Sequence, residues 1–185
     1  MSDLTPHHKS LLKKLLSTKN ISKLTSLVHG STEKDWQDIS SAMLTVEPSR
    51  AVTVYIDGAS ELESSNAGIG GIFLKNVGSE KELKELYTFS ENIGAATNNE
   101  AEYQALLRAV EIGRELNLNK MDIRSDSELL VKQINLEYKV KNERLKKLHA
   151  EARDRLAGLD WSLHHVRREK NKKADALSKQ ALSKK

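Results

Sequence analysis

Apolar and polar residues alternate over residues 52–56, and a pattern with a period of two predicts a β-strand. The alternation stops at Asp57-Gly58, a pair that is common in turns. Four further strands are predicted, at residues 67–75, 83–93, 121–125 and 161–166. The first three strands follow one another without a helix between them, which indicates an antiparallel meander.

A different period appears after residue 96, where apolar residues recur every three or four positions. This spacing is typical of amphipathic helices. It predicts helices over residues 97–116, 126–134 and 143–157 and a last helix from residue 171. Because helices alternate with strands in this half of the chain, we predict an α/β domain, a mixed sheet with parallel members and helices on its faces.

Residues 1–49 are a separate stretch in which the pattern predicts small helices. The first is predicted to begin at Thr5-Pro6, since proline favours the first helical position, and the second has Thr32 and Asp35 as a capping pair. The stretch ends near Pro48 and contains no recognisable catalytic motif. We therefore predict a helical N-terminal segment at 1–49, whose role in partner docking, self-association or substrate contact stays open, and one domain at 50–185.

Composition limits the chemistry that is available. The chain of 185 residues contains no cysteine, which excludes disulfides and thiolate metal sites and favours hard cations held by oxygen ligands. No apolar run reaches the roughly 20 residues that cross a bilayer. The first residues also lack the apolar stretch of a secretory signal. We therefore expect a cytoplasmic protein.

Positive charge is concentrated in two clusters, although the net charge is only +4. The clusters either bind phosphates or are solvated helix faces, and both interpretations remain open at this point. Their members are Lys139, Lys141, Lys146 and Lys147 in one cluster and Arg167, Arg168, Lys170, Lys172 and Lys173 in the other.

Asp57 and Glu102 are the first two candidate metal ligands. Asp57 follows an apolar strand, and a turn is its alternative role, although the next strand begins too late for a tight hairpin. Glu102 lies in line with Ala105 and Leu106 on the apolar stripe of the long helix. Burying a carboxylate on such a stripe is costly without a cation or a hydrogen-bond donor. A metal-binding role and a glutamate at the edge of the stripe both remain open.

Asp126 and Asp175 are the other two candidates. Asp126 stands where a strand gives way to a helix, a position that suits ligand binding in parallel sheets, and helix capping is its alternative role. Asp175 lies one turn inside the last helix, beyond the predicted cap Asn171, and an ion pair with Lys172 or Lys173 is its alternative. Taken singly, none of the four acids decides between a catalytic and a structural role.

Four segments, in this order, resemble the ribonuclease H family, type 1. They are YIDGAS at 55–60, ATNNEAEYQALLRAVE at 96–111, RSDSELLVKQI at 124–134 and HHVRREKNKKADALSKQAL at 164–182. The resemblance covers residues 51–183 and implies a ribonuclease H-like five-stranded mixed sheet flanked by helices, here preceded by the small helical segment. It also implies an endonuclease that hydrolyses the RNA strand of RNA/DNA hybrids and leaves 5′-phosphate and 3′-hydroxyl ends.

The same resemblance implies a metal cluster made of the four acids. Asp57 would bridge two Mg²⁺ ions, Glu102 and Asp126 would complete one, and Asp175 would complete the other, with Mn²⁺ as a possible substitute. Two such ions, about 3.5 to 4 Å apart, activate water and stabilise the leaving oxygen. Carboxylates suit this role because Mg²⁺ prefers hard oxygen donors.

Substrate contacts are also implied by the resemblance. Asparagine side chains can meet 2′-hydroxyls and base edges in the shallow groove of an A-like duplex, and basic side chains can neutralise phosphates. Thr97 could equally serve as a helix cap. The predicted substrate-binding residues are Thr97, Asn98, Asn99, Gln133, Lys139, Lys141 and Arg168.

The sequence departs from the family pattern in the loop between residues 166 and 171. Many members carry a mobile histidine there, and this chain has none, so Arg168 or Glu169 is the predicted substitute. The chain also lacks a tryptophan-bearing basic protrusion after residue 134, which leaves Lys139 and Lys141 as the predicted replacements.

Two other functions are compatible with the same fold. One is a nuclease that acts on DNA or structured RNA, and the other is a catalytically silent module that binds nucleic acid or protein. The Asn98-Asn99 pair favours a strand with 2′-hydroxyls, and the presence of all four acids favours an enzyme.

Overall fold

Five strands form one mixed sheet in a computed structural model, which describes residues 15, 18–44, 52–61, 66–77 and 82–183. The strand order is β3-β2-β1-β4-β5. β1 pairs with β2 and β2 with β3 in antiparallel fashion, whereas β1 with β4 and β4 with β5 are parallel. The strands are β1 (Val52–Glu61), β2 (Asn66–Val77), β3 (Glu82–Gly94), β4 (Lys120–Ser125) and β5 (Asp160–His165). The predicted five-stranded mixed sheet is confirmed.

Helices cover both faces of this sheet. α3 packs on β1 and β2 from one side and carries α5 against its outer surface, while α6 packs on β1, β2 and β3 from the other side. A short 3-10 turn, Arg168–Lys170, precedes α6. The helices are α1 (Thr18–Leu27), α2 (Glu33–Leu44), α3 (Asn98–Glu115), α4 (Glu128–Ile134), α5 (Glu143–Leu156) and α6 (Lys172–Leu182). None of those in the described residues has the length and apolar character that a bilayer crossing requires.

The core lies between α3 and the sheet and is built mainly of aliphatic side chains. Val54 and Ile56 of β1, Leu106 and Ile112 of α3, and Ile123 of β4 are all buried there. Each such side chain contributes roughly 1.5 to 3 kcal/mol on burial. This packing fixes β1, β4 and α3 relative to one another: Asp57 lies in β1, Glu102 lies in α3, and Asp126 directly follows β4.

The chain divides into two units, Met1–Pro48 and Ser49–Lys185. Within the first, the predicted capping pair is present: the Thr32 N–H donates to Asp35 Oδ2 at 2.7 Å, and the Asp35 N–H donates to Thr32 Oγ1 at 3.2 Å. The helix start predicted at Thr5-Pro6 lies outside the described residues.

β1 does not end at Asp57-Gly58 as the turn-forming pair predicted. It runs on to Glu61, with Asp57 opposite Gly70 and Gly58 opposite Ile69 in the antiparallel register. The physical reason is that Gly58 lets a helix pack closely against the strand, and the chain does not turn there. Asp57 therefore lies inside a strand, where the sheet fixes its backbone.

Candidate active site

Three carboxylates from distant parts of the chain converge at one place. Asp57 lies in β1, Glu102 lies near the start of α3, and Asp126 directly follows β4. One oxygen of each carboxylate lies within 4.8 Å of the others. Asp57 and Asp126 are neighbours because β1 and β4 are adjacent parallel strands, and Glu102 is brought to them by the packing of α3 on β1.

Gly58 allows that packing. A Cβ atom at this position would overlap the backbone of Ala101 and Glu102, so the first turns of α3 rest directly on β1. The backbone of Gly58 also forms a hydrogen bond with the carboxylate of Glu102. Residue 58 therefore needs to be glycine because of the helix above it, and this contact sets where Glu102 lies.

The carboxyl group of Glu102 is buried and one of its oxygens lacks a hydrogen-bond partner in the described residues. Its side chain belongs to a residue only 6% exposed, and Oε2 has no hydrogen-bond partner within the described part of the chain. Burial raises the pKa of Glu102 well above its ordinary value, and the negative charges of Asp57 and Asp126 raise it further. A buried carboxylate oxygen without a donor is costly, and a bound cation would offset that cost.

Asp57 is in a similar electrostatic position. Burial raises its pKa to about 7, and the charges of Asp126 and Asp175 act in the same direction. The hydroxyl of Ser178 in α6 donates a hydrogen bond to Asp57 Oδ2 and acts in the opposite direction, lowering the pKa. The first effect exceeds the second, so without a cation this carboxylate resists ionisation.

Asn171 holds Asp126 in place. Its Nδ2 donates to Asp126 Oδ1 at 2.7 Å and to the Ile56 carbonyl at 2.9 Å, and the residue is 1% exposed. The prediction that Asn171 caps the last helix is therefore only half correct: it occupies the N-cap position, but its side chain makes no capping hydrogen bond. Its amide instead connects β1 to Asp126.

Asp126 is not the cap of α4. That role belongs to Ser127, whose Oγ accepts a hydrogen bond from the Leu130 N–H at 3.4 Å. The capping alternative for Asp126 is thus wrong, because the helix begins one residue later than a cap at Asp126 would require. Its carboxylate is left to face the other two acids.

Asp175 has different surroundings. Arg168 Nη2 lies 2.8 Å from Asp175 Oδ1, and Lys179 Nζ lies 2.7 Å from Oδ2. Although burial by itself raises the pKa of Asp175, the hydrogen bonds from Lys179 and Arg168 bring it below the ordinary value. The alternative role of Asp175, an ion pair with Lys172 or Lys173, takes another form: Asp175 pairs with Arg168 and Lys179, and Lys173 pairs with Glu85.

All four acids line one open cavity of about 400 Å³. Asn98, Ser127, Arg168 and Lys179 complete much of its wall. Four carboxylates thus face two cationic side chains, which leaves an excess of negative charge. The cavity opens to solvent, so both cations and a phosphodiester have access to the acids.

The start of α3 holds three of the predicted substrate-binding residues. Thr97 is the N-cap: its hydroxyl accepts from the Glu100 N–H at 3.3 Å, while its own N–H donates to Glu100 Oε2 at 2.8 Å. Asn98 and Asn99 follow on the exposed first turn, and Asn98 reaches the cavity wall. The predicted capping role of Thr97 is present, and the two asparagines are accessible to a ligand.

The remaining predicted contacts differ in position. Gln133 is only 4% exposed and its Oε1 accepts a hydrogen bond from the Tyr103 hydroxyl at 2.8 Å, so its predicted contact with substrate is not supported. Lys139 and Lys141 are exposed in the connection between α4 and α5. Arg168 is exposed and lines the cavity through its pair with Asp175.

Sequence reasoning did not identify Ser178 or the glycines beneath α6. The available signal was a stripe of small residues in α6, Ala174, Ser178 and Ala181, which are all buried. Such a stripe indicates close approach of a helix to a sheet, and Gly68 and Gly70 of β2 lie directly under it.

Comparison with known proteins gives a consistent set of relatives. Residues 55–181 match the family model described as "Reverse transcriptase-like". The chain is 35% identical over 140 residues to Ribonuclease HI of Halobacterium salinarum. The match covers 74% of this chain and 68% of the relative. It is also 30% identical to the Bifunctional protein Rv2228c of Mycobacterium tuberculosis, over 71% of this chain and 35% of that protein.

Solved structures give the same picture. The crystal structure of RNase H1 from Halobacterium salinarum superposes with a TM-score of 0.64 at 34% identity, over 71% of this chain and 97% of that one. LC11-RNase H1, solved in complex with an RNA/DNA hybrid, superposes with a TM-score of 0.62 at 33% identity, over 71% of this chain and 96% of that one.

Proposed function

The chain belongs to the type 1 ribonuclease H family and is a ribonuclease H, and we propose that it hydrolyses the RNA strand of RNA/DNA hybrids with bound divalent cations. The products are 5′-phosphate and 3′-hydroxyl ends, and Mg²⁺ is the proposed cation, with Mn²⁺ as a substitute. The hybrid bound to LC11-RNase H1 supports this substrate.

One observation carries the proposal: the buried Oε2 of Glu102, without a partner in the described residues, beside Asp57 and Asp126. Neutral or cationic side chains would satisfy this oxygen if the site were purely structural. Carboxylates within 4.8 Å of one another instead fit a hard cation, which prefers oxygen ligands. The residues present therefore suit the metal that the family relationship implies.

Asp57, Glu102 and Asp126 would hold the metal, and Asp175 would join them by exchanging its contacts with Arg168 and Lys179. When bound, two divalent cations supply an activated water and stabilise the leaving 3′ oxygen. The rigid placement of the three acids on β1, α3 and the end of β4 presents their oxygens without further rearrangement of the backbone.

The surroundings of the cavity support a duplex substrate with 2′-hydroxyls. Asn98 and Asn99 are exposed at the start of α3 and can donate to and accept from a 2′-hydroxyl. Arg168 and Lys179 stand at the cavity wall, where a phosphate would replace the carboxylate of Asp175 as their partner. Lys139 and Lys141 are the proposed further phosphate contacts, which predicts salt-sensitive binding without sequence preference.

The test is an assay of a labelled RNA/DNA hybrid, an RNA duplex and a DNA duplex with Mg²⁺ or Mn²⁺. We expect cleavage of the RNA strand of the hybrid alone. Asp126→Asn should lower the rate by on the order of 10³-fold or more, because metal stabilisation is worth several kcal/mol. Asp154→Asn, on the exposed side of α5, is the matched control and should cleave normally. Equal cutting of all three duplexes would reject the hybrid as the specific substrate.

A further inference from the structure

Ser178 connects two of the acids. It lies in the middle of α6 and is 0% exposed. Its Oγ is hydrogen-bonded to Asp57 Oδ2 on β1 and lies 2.9 Å from the carbonyl oxygen of Asp175, one turn earlier in the same helix. A single buried hydroxyl therefore has one acceptor on the sheet and one on its own helix.

The hydroxyl carries one hydrogen and can satisfy only one of these acceptors at a time. Serines inside helices ordinarily bond back to a preceding carbonyl. An ionised carboxylate is a stronger acceptor than a neutral carbonyl, since charge-assisted hydrogen bonds are roughly twice as strong. Ser178 therefore donates to Asp57 when that carboxylate is charged, which is the form that binds a metal ion.

A side chain as short as serine reaches Asp57 because α6 lies unusually close to the sheet. Gly70 is the register partner of Asp57. A Cβ atom at Gly70 would overlap the backbone of Leu177 and Ser178, and one at Gly68 would overlap the Ser178 carbonyl. The glycines of β2 thus allow α6 to approach the sheet so closely that the Ser178 hydroxyl contacts the Asp57 carboxylate.

We propose that Ser178 is a positioning residue that fixes the orientation of the Asp57 carboxylate for divalent-cation binding. A donor on Oδ2 restricts rotation of the carboxylate and keeps it in the orientation that brings one oxygen within 4.8 Å of those of Glu102 and Asp126. Partners that orient a metal ligand commonly change metal affinity 10- to 100-fold when they are removed. This inference rests on the proposed function only in taking Asp57 as a metal ligand.

The competing explanation is that residue 178 merely has to be small so that α6 can approach β2. Alanine meets that requirement as well as serine does, and it is the best helix former. Ser178→Ala therefore keeps the packing and removes only the hydroxyl. Ser90→Ala is the matched control, because the Ser90 hydroxyl donates to the Leu177 carbonyl of the same helix at 2.8 Å.

The experiment is a calorimetric titration of the full chain with Mn²⁺ at pH 8, without nucleic acid. We expect Ser178→Ala to raise the Mn²⁺ dissociation constant by about 10-fold or more, and Ser90→Ala to leave it within about twofold of the wild type. The Mg²⁺ concentration that gives half-maximal hydrolysis should shift in the same way.

Two results would overturn the inference. One is an unchanged dissociation constant in Ser178→Ala, and the other is an equal loss of affinity in both serine variants, which would assign the effect to helix packing. A wild-type chain that binds Mn²⁺ but does not cut the hybrid would count against the proposed function, while the serine comparison would still decide the role of Ser178.

Discussion

Two carboxylate environments meet in one cavity, and they differ in what neutralises them. Asp57 and Glu102 are buried, their pKa values are raised, and Glu102 Oε2 has no partner in the described residues. Asp175 lies at the same cavity but is paired with Arg168 and Lys179, and its pKa is lowered. The same kind of side chain is thus held in opposite electrostatic states a short distance apart.

The contrast between the buried acids and Asp175 shows which carboxylates the chain itself neutralises and which it leaves for a metal ion. The fold brings Asp57, Glu102 and Asp126 together by strand order and helix packing, at an electrostatic cost that either a retained proton or a bound cation offsets. Asp175 needs no added cation, because the chain supplies two. As the proposed fourth ligand, Asp175 would have to exchange its contact with Arg168 or Lys179 for the metal.

The largest expected effect comes from removing charge at the buried acid. Glu102→Gln should lower hydrolysis on the order of 10³-fold, because a ligand of the metal is lost. The same change should stabilise the metal-free protein at pH 8, because an uncompensated buried charge disappears.

Asp175→Asn should have the opposite effect and lower the stability of the metal-free protein, since it removes two ion pairs. Urea unfolding in EDTA measures both, and a Glu102→Gln variant less stable than the wild type would remove the distinction between the two environments.

The two environments should also respond oppositely to pH. The folded pKa of Asp57 is about 7 against an ordinary value of 3.8, so the folded state keeps a proton that the unfolded state releases. The contribution of Asp57 to the unfolding free energy of the metal-free protein should therefore fall by roughly 4 kcal/mol between about pH 4 and pH 7. Asp175 contributes stability above its ordinary pKa that is lost as the pH falls through its lowered folded pKa.

Denaturation of the metal-free wild type, Asp57→Asn and Asp175→Asn across this pH range separates the two contributions. Added Mg²⁺ should restore the stability lost by pH 8, because it binds the folded state. An unchanged dependence of stability on pH in Asp57→Asn would contradict the buried, uncompensated state of Asp57.

A substitution at Gly58 tests whether the close packing of α3 on β1 is needed to place Glu102 beside Asp57. Gly58→Ala should cost on the order of 3 kcal/mol and weaken metal binding, because the new methyl group would meet the backbone of Ala101 and Glu102. Gly113→Ala in α3 is the matched control: its methyl group would meet only the flexible side chain of Met121, and alanine is favoured in a helix. Thermal unfolding with and without Mn²⁺ should separate the two variants, and equal behaviour would show that the approach of α3 at Gly58 is not critical.

The smallest effect is expected at the cation-paired acid. Lys179→Ala removes an exposed pair from Asp175 and should change the unfolding free energy at pH 7 by less than about 1 kcal/mol. It should raise the pKa of Asp175, which NMR titration of the carboxyl carbon can follow. A loss of several kcal/mol would mean that Lys179 stabilises more than this one ion pair.

The order of strands and helices could be predicted from the sequence because periodicity reports burial directly. The role of Asp57-Gly58 could not be predicted from the sequence, because the same dipeptide suits both a turn and a strand beneath a helix. Only the position of Ala101 in the folded chain decides between the two roles. Likewise, Ser127 and Asp126 are both good caps, and the choice depends on where the helix begins.

Side-chain partners that join distant segments were the hardest part of the site to predict. Asn171 was expected to cap a helix, but it bonds Asp126 and the Ile56 carbonyl. Ser178 carried no signal of its contact with Asp57, 121 positions away. Gln133 is buried against Tyr103 by the packing of α3 against α4, which no local pattern indicates. Such contacts follow from the assembled fold and not from any local pattern.

Asp57, Glu102 and Asp126 are proposed to bind a divalent cation together. Anomalous diffraction from crystals of the full chain soaked in Mn²⁺ at pH 8 tests it most directly. We expect an anomalous peak at coordination distance from carboxylate oxygens of all three residues. Manganese bound elsewhere on the chain, with these three carboxylates free of metal, would contradict it.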